Sequence, residues 1–336
     1  PALLGESQSE LVAVADQPTI ISFKQVGGGF AHPMCGLFSQ FIEFFWPGVL
    51  HRRMSVVNCR DFYDFAVPNT ANLARMRAVV ITEYGDVDVL KIQEVPDPDP
   101  GPDQVLVQVT ASAMNRADLM QRLGQYPAPG PKPAYEVPGL EYSGRIAAVG
   151  SQVVDWSVGD AVMGIVAGGA MAELVVTHER MLQPVPSNLD VGDAAAIPEV
   201  FMTAHDALVT QGMLTSGSRA LVHAGASGVG TASIQIVKAL GGEIAVTCSA
   251  GKASACEDLG ADVVIDYAEH DFVDAIAEWT GGSGVDLVLD VIGGEYLAKN
   301  LRCVKVQGRI IQVGAMGGPV ASLPLGALLP KRASLI

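Results

Sequence analysis

The sequence predicts an α/β protein in which a small, partly open β-barrel is followed by a doubly wound, six-stranded parallel sheet. Two textures predict it. Through residues 76–198 short Val, Ala and Ile runs alternate with turn clusters, whereas from Ser218 onward continuous apolar runs alternate with helical patterns. A composition of 49% apolar and 17% charged residues over 336 positions supplies the packed core that both halves need, and excludes a disordered chain.

Residues 1–75 read differently. They hold Phe38, Phe41, Phe44, Phe45 and Trp46 in one short stretch, and nearly all of the net charge of −15 lies after them. A boundary is therefore placed near Met76, and the leading segment is expected to be an extension that is not part of the fold. Ser39, Gln40, Glu43 and Pro47 interrupt the apolar stretch 35–50, which is too short and too polar to span a bilayer. A surface-lying helix with Phe38, Phe41, Ile42 and Phe45 on one face is one reading of this stretch, and poor order is the other. Glu6, Glu10 and Asp16 argue against a presequence.

The barrel half draws its strands from 77–82, 105–113, 142–149 and 161–165, with Asp97-Pro98-Asp99-Pro100-Gly101-Pro102 as the clearest turn. In the second half the strands are 219–224, 243–247, 262–266, 285–291, 309–313 and 333–336. Helices are expected at 230–240, 252–259, 272–279 and 296–304. Continuous apolar strands joined by helices specify a parallel sheet covered on both faces. The organisation is thus 1–75, 76–200 and 201–336.

The first strand of the second half runs into Gly225-Ala226-Ser227-Gly228-Val229-Gly230, and a helical pattern follows. Glycines here permit a tight turn and a close approach of backbone to a pyrophosphate, which the free N–H groups of the helix start would receive. A plain strand-to-helix turn is the alternative; the position at the head of six alternating units favours a dinucleotide site. An acid at the end of the second strand would bind the ribose 2′-hydroxyl of NAD. None lies between Glu243 and Glu257, and the strand ends in Thr247-Cys248-Ser249-Ala250-Gly251-Lys252. A hydroxyl and an ammonium suit a 2′-phosphate, so NADPH is the expected cofactor, with a solvated Lys252 as the competing reading.

The chain resembles the medium-chain dehydrogenases/reductases, and among them the zinc-free, zeta-crystallin-like NADPH:quinone oxidoreductases. The motifs that carry the resemblance are Met76-Arg77-Ala78-Val79, Ser112-Ala113-Met114-Asn115-Arg116-Ala117-Asp118, Pro138-Gly139-Leu140-Glu141-Tyr142-Ser143-Gly144, Val158-Gly159-Asp160, Met202-Thr203-Ala204 and the glycine-rich turn. The resemblance implies a GroES-like barrel first and a Rossmann domain second, with substrate between them. Where zinc-dependent relatives carry a cysteine and a histidine, this chain has Asn115 and Leu140, so no metal is expected. Without Zn²⁺ to acidify an alcohol, hydride delivery to an electron-poor quinone or enone is favoured over alcohol oxidation.

By the same resemblance Asn115 orients the acceptor and Tyr126 donates its phenol; a cap residue and a core aromatic are the rival readings. A second tyrosine of many relatives is Met120 here. Thr203 is placed near the nicotinamide carboxamide, against a helix hydroxyl bonded to its own backbone, with Glu199 one turn earlier. Ser249, Lys252 and Tyr267 are placed at the 2′-phosphate, and Gly314, Ala315 and Met316 near the nicotinamide ribose. His205 and His223, in apolar surroundings, are read as structural.

The expected function is NADPH-dependent reduction of a quinone or related conjugated carbonyl. The alternatives are an enoyl or alkenal reductase on the same scaffold, or a non-catalytic NADPH-binding or RNA-binding protein. The charge of −15 opposes nucleic-acid binding. Five cysteines without a C-x-x-C pair suit a reduced, cytoplasmic setting, and a homodimer is expected through the edge of the nucleotide sheet. In the family the chain continues past the sixth strand and returns to the barrel. Ending at Ile336 is therefore expected to lower stability and turnover relative to a longer chain.

Overall fold

The computed structural model describes residues 75–126 and 133–336. The expectations for residues 1–74 lie outside the described residues. The rest divides into two compact units, which meet in sequence at Glu199 and Val200.

In the first unit, β1 (Arg75–Ile81) and β2 (Leu90–Pro96) form an antiparallel hairpin. A five-stranded antiparallel sheet follows, built from β3 (Gln104–Ala113), β4 (Glu141–Val149), β5 (Ala161–Ile165), β6 (Leu174–His178) and β7 (Leu182–Pro184), in the order β6-β3-β4-β5-β7. The hairpin docks on it through backbone bonds from Val79 to Met171 and from Glu173 to Arg77. Alternation along β3 and β4 turns Val105, Val107, Tyr142 and Ile146 inward, where they meet Val162, Val175 and Leu182. A short helix, α1 (Arg116–Arg122), leaves the end of β3. The strands read from sequence are present: 161–165 is unchanged, β3 and β4 each begin one residue earlier, and the first strand runs over Arg75–Ile81 rather than 77–82. β2, β6, β7 and α1 are additional.

The helix α2 (Pro198–His205) leads into the second unit. Its sheet is parallel throughout, in the order β10-β9-β8-β11-β12-β13, with β8 (Arg219–Val222), β9 (Glu243–Cys248), β10 (Val263–Asp266), β11 (Val285–Asp290), β12 (Val304–Gln312) and β13 (Ser334–Leu335). The chain starts in the middle, winds outward to β10, then crosses back to β11. That reversal between β8 and β11 is the switch point of a doubly wound fold. α3 (Gly228–Ala239), α4 (Ala253–Asp258), α5 (Phe272–Trp279) and α6 (Tyr296–Cys303) fill the crossovers, and α7 (Leu325–Lys331) precedes the last strand.

Phe272, Ile276, Leu297 and Leu301 from α5 and α6 pack on Leu221, Val288 and Ile310 of the sheet. Each such fully buried side chain contributes about 1.5–3 kcal/mol. Most boundaries shift by one or two residues, β8 for example ending at Val222 rather than at residue 224, and two differences stand out. α3 opens at Gly228 rather than at residue 230, because the Ser227 hydroxyl caps it by accepting the Gly230 N–H at 3.1 Å. β12 begins at Val304, not at 309, with Gln307 at φ 63° inside it; that irregularity breaks the sequence pattern.

Leu301→Ala is expected to cost about 2–5 kcal/mol by opening a cavity beneath the sheet. Leu329→Ala, at a side chain 77% exposed, is expected to stay within about 0.5 kcal/mol. Urea unfolding of both variants checks the contrast.

Candidate functional site

The glycine-rich turn sits at the carboxyl ends of β8 and β9, beside the switch point. Gly225 N–H bonds to Thr247 O at 2.8 Å, and this presses the turn against β9 so closely that a Cβ on Gly225 would lie 2.4 Å from Val246 Cβ. A Cβ on Gly230 would lie 2.4 Å from Ala224 O. Only glycine fits either place. Ser227 and Gly228 are the exposed residues of the turn, and the N–H groups of Gly228, Val229 and Gly230 open α3, the last of them bonded to the Ser227 hydroxyl.

The end of β9 delivers Ser249, after which a single 3₁₀ turn, Ala250–Lys252, closes through Lys252 N–H to Ser249 O at 2.9 Å. Lys252 is exposed and Ser249 half-buried. Tyr267 N–H reaches Cys248 O at 3.3 Å, which sets its backbone next to the end of β9, and its side chain is half-exposed. Ser249 and Tyr267 thus follow the carboxyl ends of the neighbouring strands β9 and β10, and Lys252 lies three residues past Ser249. The nearest acid at the end of β10, Asp266, accepts from Ala268 N–H and caps its own loop.

On the other side of the switch point, Gly314, Ala315 and Met316 leave β12. They are held by Gly314 N–H to Asp290 O and Met316 N–H to Val291 O. Met316 projects 43% exposed. Thr203 is half-buried on α2, and His205 is buried near it, its imidazole kept below the ordinary range by burial. His223 is fully buried between Phe272 and Tyr296, both 4.8 Å away ring to ring, as a structural histidine should be.

In the first unit Asn115 stands at the start of α1 with two roles. Its N–H donates to Asp118 Oδ2 at 2.7 Å, and its Nδ2 donates to Glu141 Oε1 at 2.8 Å. The first bond makes Asn115 the cap residue of α1, and the second fixes the plane of its amide. Glu141 is 1% exposed; its second oxygen accepts Glu199 N–H at 2.8 Å, and no ion pair to it is formed among the described residues. Burial raises its pKa from the ordinary 4.5 to about 7; the two donors oppose the rise, and the charges of Glu199 and Asp118 add to it. Asp118 is raised too, mainly by burial. Tyr126 is 46% exposed, so the core-aromatic reading fails. Among the described residues no hydrogen bond joins Tyr126 to Asn115.

Sequence reasoning quoted Glu141 only as a motif letter. A carboxylate flanked by Leu140 and Tyr142, on a strand buried over most of its length, was the available signal. In the folded chain Glu141 keeps its proton between its ordinary pKa and about 7. The stability this proton contributes is complete at low pH and is lost as pH rises through 7. The melting temperature is expected to fall from about pH 5 to about pH 8, and Glu141→Gln should flatten that part of the profile.

The family models described as "Alcohol dehydrogenase GroES-like domain" and "Zinc-binding dehydrogenase" match residues 101–187 and 228–336. The chain is 34% identical over 260 residues to quinone oxidoreductase-like protein 2 of Mus musculus, covering 77% of this chain and 73% of that protein. It is 36% identical over 260 residues to 2-methylene-furan-3-one reductase of Solanum lycopersicum, covering 73% and 64%. A solved quinone oxidoreductase of Pseudomonas syringae superposes with a TM-score of 0.71 at 30% identity, over 78% of this chain and 80% of that one. Among the described residues no group of three or more His, Cys, Asp or Glu could hold a metal. Fold, glycine turn and relatives agree: the chain belongs to the medium-chain dehydrogenase/reductase superfamily, to its quinone oxidoreductase-like members, oxidoreductases that work with a nicotinamide cofactor.

Proposed function

We propose that the chain is an NADPH-dependent reductase that passes a hydride to a quinone or related conjugated carbonyl without zinc. The observation that carries the choice of NADPH is the end of β9. Ser249 and the ammonium of Lys252 stand where a carboxylate would favour NAD, and Tyr267 follows the neighbouring strand. The residues present fit the cofactor: the turn leaves no room for a Cβ at Gly225 or Gly230, so backbone N–H groups can meet a pyrophosphate.

When bound, the reduced nicotinamide supplies the hydride. The chain does the rest. Gly225, Ala226, Ser227, Gly228, Val229 and Gly230 hold the pyrophosphate, while Ser249, Lys252 and Tyr267 hold the 2′-phosphate. Gly314, Ala315 and Met316 support the nicotinamide ribose, and Thr203 the carboxamide. Asn115 has one amide hydrogen committed to Glu141 and offers the other to the acceptor oxygen, where negative charge develops. Tyr126 donates the proton that completes reduction.

Similarity to a furanone reductase supports a second reading, an enoyl or alkenal reductase on the same residues. A non-catalytic or RNA-binding role has less support, because a net charge of −15 repels phosphate backbones. We further propose a homodimer joined through the edge of the nucleotide sheet, working in the cytoplasm. Among the described residues no helix is long and apolar enough to cross a membrane.

Oxidation of NADPH and NADH, followed at 340 nm with quinones and straight-chain enals side by side, tests the reading. NADPH with quinones is expected to be fastest; preference for enals would favour the second reading, and preference for NADH would overturn the cofactor assignment. Lys252→Glu should raise KM for NADPH by about tenfold or more and leave that for NADH nearly unchanged.

A further inference from the structure

A buried polar chain crosses the second unit just beneath its carboxyl edge, and every member has its direction fixed. Asp290, fully buried at the end of β11, accepts Ile292 N–H at 2.6 Å and Gly293 N–H at 2.9 Å on Oδ1, and Asn300 Nδ2–H at 2.8 Å on Oδ2. With its amide nitrogen committed to a carboxylate, Asn300 must turn Oδ1 to His223, 2.7 Å away. His223 Nε2 therefore carries the hydrogen, and its bare Nδ1 accepts the Thr247 hydroxyl at 3.1 Å. Thr247 Oγ1 in turn accepts Ala224 N–H at 3.3 Å.

The two ends of this chain are turns. Ala224 opens the glycine-rich turn and is itself held at φ 56°. Ile292 and Gly293 begin a turn whose glycines pack on the backbone of residues 314–317; a Cβ on Gly293 would lie 3.3 Å from Ala315 Cα, and one on Gly294 would lie 2.8 Å from Gly317 O. Gln312 Nε2 adds bonds to Asp290 O at 3.1 Å and Gly314 O at 2.6 Å. Four side chains, from β9, the residue just past β8, α6 and β11, thus link the turn assigned to the pyrophosphate with the turns assigned to the nicotinamide ribose. Such a chain costs more than it returns if one member is left unpaired, so its full satisfaction points to a use that apolar packing would not meet.

We propose that Asn300 is a positioning residue for the coenzyme: the hydrogen-bonded chain it centres fixes the spacing between the glycine-rich turn and the Gly293-Gly294 turn, so that both ends of a dinucleotide meet preset backbone. The inference rests on the NADPH reading above. NADPH spans both turns, whereas 2′,5′-ADP needs only the glycine turn and the end of β9. Asn300→Leu is expected to weaken NADPH binding by about tenfold or more and to change 2′,5′-ADP binding by less than about twofold, as measured by calorimetry well below the melting temperature.

Should Asn300→Leu fail to fold, Thr247→Val cuts the same chain at its other end in nearly the same volume, and Thr247→Ser keeps the hydroxyl. The valine variant is expected to show the same selective loss and the serine variant to restore wild-type affinity. Equal losses for both ligands, or indistinguishable valine and serine variants, would overturn the proposal and leave the coenzyme reading standing. A wild-type chain that binds neither NADPH nor 2′,5′-ADP would overturn both.

Discussion

The closeness of the glycine-rich turn to its neighbours is the constraint on which the second unit depends. Gly225 lies against Val246 and Gly230 against Ala224 O, so strand, turn and helix meet with no side chain between them. That contact sets the start of α3 over the carboxyl edge of the sheet, where the first N–H groups of a helix lack an intrahelical partner. Gly225, Ser227 and Gly230 spend theirs within the turn, on Thr247 O, Ala224 O and the Ser227 hydroxyl. Everything assigned to the coenzyme is arranged around this turn: Ser249 and Lys252 one strand outward, Gly314 and Met316 two strands the other way.

The first unit holds a buried acid. Glu141 has no ion-pair partner among the described residues, and two N–H donors from Asn115 and Glu199 hold it. The cost of burying the carboxylate shows in its raised pKa, and the benefit is geometric, since the Asn115 amide has one orientation that satisfies it. An asparagine beside a carboxylate offers hydrogen bonds and no Lewis acid, which is the chemical reason for placing a stabilised oxyanion, rather than a metal alkoxide, at the centre of the proposed reaction.

Much of this was legible in the sequence, and the failures share a physical cause. The strands of the second unit showed because burial on both faces makes them continuous apolar runs, as in Ile244, Ala245 and Val246. β2 was missed because Lys91, Ile92 and Glu94 are all exposed and no alternation survives, and β7 because three residues carry no period. The glycine turn showed because its spacing is local. The chain through His223, Asn300 and Asp290 did not, since its members are separated by up to 77 residues and Asn300 within a helical pattern reads as a surface residue. Long-range polar pairing leaves no periodic trace, and only the fold brings it together.

A crystal structure of the chain with NADPH tests the central claim most directly. The account predicts the pyrophosphate on the N–H groups between Gly225 and Gly230, with the 2′-phosphate in contact with Ser249 and Lys252. A pyrophosphate seated elsewhere, or a 2′-phosphate pointing into solvent away from Lys252, would contradict it.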